Sequence, residues 1–233
     1  MSVESKRFNP EEVEVARRLN VEWKKTIGDL GGNVEKSGAV FKKIVEAYRS
    51  GDGRVYHNLF HIDRMLGVVN KFPHLAADLP VLKAAIFGHD IVYVPGSQTN
   101  ERDSADLFGG MLRELEIDED RISKSDELIM VTEKHITRED DRDGRLIIDA
   151  DFDILGSDGD VYRNYSQGIY TEYVLSGRVS VDDFKSGRTN GYLNPWLESI
   201  ENNSLYLNPE IGEVLNPQAE KNILFEKEWL ASL

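Results

Sequence analysis

Val81-Leu82-Lys83-Ala84-Ala85-Ile86-Phe87-Gly88-His89-Asp90-Ile91-Val92-Tyr93 is the stretch on which the fold turns. It is apolar nearly all round. Lys83-Ala84-Ala85 argues for helix over strand, and a helix apolar on every face is normally buried. The stretch therefore predicts a helix at the centre of a core. It also carries His89-Asp90, a doublet whose carboxylate would be costly there without a strong partner.

Helix signals extend from it in both directions. Before it, a helix should hold His57 to Phe72 and end ahead of Pro73. An earlier one carries Val40, Ile44, Val45 and Tyr48 and ends near Ser50-Gly51. At the start, Asn9-Pro10-Glu11-Glu12 reads as an N-cap, a proline at the first helical position and acids in the first turn. Val13, Ala16, Leu19, Trp23 and Ile27 follow at helical spacing, and Gly31-Gly32 stops the run.

After the central stretch, Val94-Pro95-Gly96-Ser97 must be a loop. Helices are expected near 100–115, near 124–136 and over Leu146–Leu155, with a charged turn from Thr137 to Gly144 before the last. A tyrosine-rich helix then places Tyr162, Tyr165, Ile169 and Tyr173 on one stripe. Weaker helices run on, broken by Asn194-Pro195, Asn208-Pro209 and Asn216-Pro217. No strand pattern, repeat or linker stands out. The expected architecture is all-α: one domain over 1–233, with a helical extension over 157–233.

Composition narrows the function. Hydrophobic residues make up 40% of the 233 and aromatics 9%, enough for a core. No apolar run is long enough to cross a bilayer, and the polar N-terminus does not read as a signal peptide. With no cysteine, a metal must be held by histidine, carboxylate, carbonyl or water, and a cytoplasmic setting is expected. The net charge of −14 disfavours polymeric nucleic acid as a partner. It leaves room for a small phosphorylated ligand beside a metal ion.

The five histidines are the most informative residues. His57 and His61, four apart on one expected helix, share a face. His89-Asp90 lies on the central helix, and His135 falls on the stripe of Leu128, Val131 and Thr132. A lone histidine on an apolar face is usually a hydrogen-bonded core residue. Among Asp149, Asp151 and Asp153, helical geometry puts Asp151 within the stripe of Ile147, Ile148, Phe152, Ile154 and Leu155. The other two lie about 200° away, so Asp151 is expected to be the buried acid. Imidazoles and carboxylates converging from three helices suit one divalent ion.

His61, His89-Asp90 and Asp151, in that order, resemble the H…HD…D signature of the HD superfamily of metal-dependent phosphohydrolases. The local words agree. Tyr56-His57-Asn58-Leu59-Phe60-His61 is similar to YHNxxH, His89–Tyr93 to HDxVY, Asn100–Ala105 to NExxSA and Asp149–Gly156 to DxDxxILG. These words occur in small bacterial predicted HD phosphohydrolases, and cyclic-nucleotide phosphodiesterases are more distantly similar. The match spans 54–156. The extra histidines and glutamate that bind a second metal in the phosphodiesterases have no counterpart, so one ion is expected. Asn58 stands where an HExxH protease would have its base.

The resemblance implies an HD-domain helical bundle. His61, His89, Asp90 and Asp151 would hold one divalent ion: Mn, Mg, Zn, Ni, Co or Fe. His57 would protonate the leaving oxygen, a role suited to imidazole near neutral pH. Glu101 would orient water or hold a second ion, or equally serve as a first-turn acid of its helix. Arg54, Asn58, Asn100 and His135 are the candidates for holding substrate, with Lys83, Arg102 and Lys134 as further cations. The expected activity is hydrolysis of a phosphomonoester or phosphodiester of a nucleotide by metal-activated water. Membrane is not an expected partner, and a homo-oligomer is left open. The alternatives are an inactive nucleotide-binding sensor of the same fold and an iron-dependent oxygenase.

Overall fold

The computed structural model describes residues 10–49 and 54–233. The expected Asn9 cap and Ser50-Gly51 stop lie outside them. The protein is all-α. Helix α1 spans Pro10–Asp29, α2 Val34–Arg49, α3 Leu59–Lys71 and α4 Leu79–Gly88. They are followed by α5 (Asn100–Glu114), α6 (Glu119–Val131), α7 (Arg142–Asp151) and α8 (Gly159–Tyr170). The last three are α9 (Val181–Arg188), α10 (Asn194–Glu201) and α11 (Pro209–Ser232).

Helix α4 is the centre, as its sequence demands. Every residue from Val81 to Gly88 is buried, and α1, α3, α6 and α7 pack around it. Trp23 of α1 meets Phe87 edge-on with ring centroids 5.0 Å apart and donates its indole N–H to Ser37 O of α2 at 3.0 Å. A Cβ on Gly88 would sit 2.4 Å from the Phe108 ring, so only glycine lets α5 approach the end of α4. Tyr48 of α2 pins that end from the other side. Its hydroxyl donates to Phe87 O and accepts from the Asp90 N–H, both at 3.2 Å.

Several elements end earlier than periodicity suggested, and the reasons are local. Asn58 caps α3 with Oδ1 on the Phe60 N–H at 2.8 Å, so His57 lies outside the helix that holds His61. Helix α4 stops at Gly88 and leaves His89-Asp90 just past its end. Helix α6 stops at Val131, where the Thr132 hydroxyl donates to Ile129 O at 2.8 Å. His135 then turns into the left-handed region at φ 52°. Helix α7 tightens into a 3₁₀ segment over Phe152–Gly156. Helix α8 widens into a π-turn over Thr171–Leu175. Pro195 and Pro209 begin helices, but Pro217 lies inside α11 without breaking it. Buried Ile211, Ala219 and Ile223 hold both sides of that proline in the core. No helix among the described residues is long and apolar enough to cross a membrane.

Candidate metal centre and its cavity

Chain ends of helices, rather than helix faces, build the centre. Just past the end of α4, His89 keeps helical backbone angles, φ −59° and ψ −37°. His89 Nε2 and Asp90 Oδ2 come to 3.2 Å. His61, in the first turn of α3, brings its Nε2 to 3.1 Å from His89 Nε2. It lies 3.1 Å from Asp151 Oδ1 and 3.9 Å from Asp90 Oδ2. His61, His89 and Asp151 thus hold one ligand atom each within 4.8 Å of one another, and Asp90 borders the two nitrogens.

This donor set fits a divalent cation. The far side of each imidazole is engaged: His89 Nδ1–H donates to Ile86 O at 2.8 Å, and His61 Nδ1 faces the Tyr56 hydroxyl at 3.0 Å. Both Nε2 atoms are left pointing at the same place, an arrangement that repels unless a proton or an ion lies between. Ligand bonds of about 2.1 Å bridge such spacings.

The charges agree. Burial raises the cost of ionising Asp90, but His89 outweighs it and holds the carboxyl well below its usual range. Asp151 is likewise held well below, with His135 and His61 overcoming burial. Burial opposes a charge on His89, yet Asp90 and Asp151 raise it to about 9. On His61 burial wins, and the ring is lowered. Two fixed negative charges and a retained proton mark a site for positive charge. His61, His89 and Asp151 could hold a metal ion.

Asp151 is oriented by His135, whose Nε2 lies 2.7 Å from Oδ2 and whose ring stacks on Phe152 with centroids 4.5 Å apart. His57 sits beside the cluster, its ring centroid 6.1 Å from that of His61. Its Nδ1–H donates to Glu172 Oε2 at 2.7 Å, and its ring stacks on Tyr93 at 3.9 Å. Burial would lower His57, but the Glu172 hydrogen bond and the charges of Asp90, Glu172 and Asp151 raise it.

Glu172 is the residue that the sequence reading missed. It is fully buried in the π-turn after α8. Its Oε1 accepts the backbone N–H groups of Val55, Tyr56 and His57 at 2.6, 2.7 and 3.2 Å. Its Oε2 also accepts the Tyr93 hydroxyl at 3.0 Å. The signal was present: Glu172 follows Ile169 by three residues, an acid on the same stripe as Tyr165 and Ile169.

Other expected residues serve the scaffold. Asn58 caps α3 and donates to Val55 O at 2.7 Å. Asn100 clamps Val94 by both backbone groups, at 2.9 and 3.1 Å. Arg54 donates to His57 O and Ile91 O at 3.0 and 3.1 Å, fixing the loops that carry His57 and Asp90. Glu101 stands half-buried in the first turn of α5, and burial with the charges of Asp90 and Glu133 raises it. Lys83 is paired with Glu22, Arg102 is exposed and Lys134 points outward beside Glu133.

Asp149 is a correction. The helical phase put it away from the core, yet it is fully buried. The segment leading into α11 covers that face of α7: Leu207 N–H donates to Oδ1 at 2.6 Å, and Asn208 N–H and Nδ2 donate to Oδ2, each at 2.8 Å. Asp153 pairs with Arg64. Asp151 is the partly open acid, on the wall of a cavity of about 320 Å³. His57 and His135 share that wall. Tyr56, Phe152, Ile154 and Leu155 continue it, and residues after 156 complete it, with Tyr165, Tyr173, Phe184, Tyr192 and Trp196 among them.

No family model, no curated protein and no solved structure matches the chain.

Proposed function

We propose that this protein is a metal-dependent phosphohydrolase of the HD type, acting on a small phosphorylated substrate, a nucleotide, held in the 320 Å³ cavity. The observation that carries the reading is that His57, held by Glu172, and Asp151, grouped with His61 and His89 behind it, share one cavity wall. Asp90 completes the proposed ligand set.

A divalent ion bound there supplies an activated water and Lewis acidity toward a phosphoryl oxygen. The chain supplies the rest. Glu172 fixes the His57 ring through Nδ1 and raises its affinity for a proton, so Nε2–H is ready to protonate the leaving oxygen. His135 holds the Asp151 carboxylate in place. Tyr56 seats the His61 ring. The aromatic wall packs the organic part of the substrate.

The test is phosphate release by the purified chain, loaded in turn with Mn, Mg, Zn, Ni, Co and Fe, from phosphomonoesters and from diesters followed by a phosphatase. Turnover that disappears in His57→Ala while metal stays bound supports the reading. Ligand binding without turnover under every metal favours the inactive sensor instead. Oxygen uptake with iron favours the oxygenase.

A further inference from the structure

Outside the cluster, the cavity wall includes a buried arginine. Arg188, 7% exposed, closes α9. Its Nε donates to Glu226 Oε1 at 2.8 Å. Its Nη2 donates to the Tyr165 hydroxyl at 2.8 Å and to Glu226 Oε2 at 3.3 Å. Glu226 of α11 is fully buried and also accepts from Tyr162. The guanidinium lies over the rings of Tyr192 and Trp196, 5.5 and 4.9 Å from their centroids. Nη1 donates to nothing among the described residues, and it is not among the buried atoms sealed from solvent. Since Arg188 lines the cavity, that donor is available to a ligand.

The chemistry of the missing acceptor can be narrowed. Glu226 already balances the Arg188 charge, so a neutral oxygen suffices. Arg188 is the one arginine or lysine in the wall among the described residues. A second full anion would therefore meet Asp151 and Asp183 with no free countercharge. The flat faces of Tyr192 and Trp196 beside the guanidinium suit a planar ring. We propose that Arg188 selects the substrate's ring: a planar heterocycle carrying a carbonyl oxygen that accepts from Nη1, with a single phosphate at the metal end. This rests on the reading of the cavity as the substrate site and names the ligand more narrowly. A ring with an amino group in that position presents a donor to a donor and leaves Nη1 unpaired.

The experiment uses nucleosides without phosphate, so it does not depend on turnover. Trp196 is the tryptophan in the cavity wall, and its fluorescence is followed as inosine or adenosine is titrated into the full chain. The two differ in an oxo or amino group at one ring carbon. Inosine should bind about tenfold or more tightly, Trp196→Phe should remove the signal, and Arg188→Lys should erase the discrimination. Because Arg188→Lys also disturbs the Glu226 pair, Tyr192→Leu serves as a second variant. Tyr192 is 52% exposed, and its loss should weaken both nucleosides alike while leaving their ratio intact. Adenosine binding as well as inosine, or no quenching by either, overturns the proposal. Inosine-selective binding with no phosphate release under any metal leaves it standing and sinks the hydrolase reading.

Discussion

The Nδ1 of His57 and the Oε2 of Glu172 lie 2.7 Å apart, although 115 residues separate them. The carboxylate also collects three backbone N–H groups from the segment that carries His57. It therefore sets both the position and the proton affinity of that ring. Glu172→Gln keeps an acceptor but removes the charge. The His57 pKa should fall, and the alkaline limb of kcat against pH, where the proton donor is lost, should move to lower pH. His57→Ala should cost about 10²–10⁴ in kcat on a poor leaving group and far less on an activated ester. A Glu172→Gln profile that coincides with the wild type would show that the carboxylate only holds the loop.

His135 should behave as a support for Asp151 rather than as a ligand. His135→Ala should weaken metal binding by about 10–100-fold, whereas His89→Ala and Asp151→Ala should abolish it. His74, exposed and paired with Glu210, is the control and should change nothing. Elemental analysis and titration calorimetry distinguish the three levels, and loss in His135→Ala as complete as in His89→Ala would make His135 a ligand.

Metal uptake should release a proton. In the metal-free chain His89 holds its proton up to about pH 9, while Asp90 and Asp151 are already ionised. An ion at His89 Nε2 must displace that proton. Affinity should therefore rise with pH, by about tenfold per unit between 7 and 9, and level off above. Calorimetry in buffers of different ionisation enthalpy should report about one proton per ion at pH 7. Binding with no proton release would show that His89 is already neutral before the ion arrives or is not a ligand, and metal content of His89→Ala separates the two.

Asp149 should leave its mark on stability. Burial raises its carboxyl to about 6, against the ordinary 3.8, in spite of the donors at Leu207 and Asn208. The folded chain thus binds this proton more tightly than the unfolded chain. Its contribution to stability is greatest below pH 4, falls as pH rises to about 6 and is flat above, by roughly 3 kcal/mol in all. Subtracting the unfolding curves of Asp149→Asn from those of the wild type should isolate that slope. Asp149→Ala strands three N–H donors and should cost more than about 2 kcal/mol at pH 7. A flat difference between wild type and Asp149→Asn would mean that water reaches the carboxylate.

The all-α class was legible because helical period and capping residues agree along the chain: α4 announces its burial in every residue from Val81 to Gly88. Individual residues of the centre were legible too: His89 and Asp151 stand out in apolar surroundings, while His61 was chosen over His57 only by the resemblance to the H…HD…D signature. What periodicity could not supply was the ends. It continued α4 through His89-Asp90 and joined His57 to α3, whereas α4 ends at Gly88 and Asn58 starts α3 after His57. The cap at Asn58 is a short-range signal that apolar spacing overrode. Asp149 was misplaced for a different reason. Its face of α7 is covered by residues 207–208, and helical phase cannot register a partner 58 positions away. The Arg188–Glu226 pair, 38 positions apart, escaped for the same cause.

That last pair has a consequence for anyone shortening the chain. A fragment ending before α11 would keep His57, His61, His89, Asp90, Asp151 and Glu172. It would also keep Arg188 without Glu226, its buried counterion. The core would lose the buried Ile211, Ala219, Ile223 and Leu230 as well. The final helix is thus the keystone of the vault: a boundary drawn around the conspicuous motifs would save the hearth and bring down the roof over it.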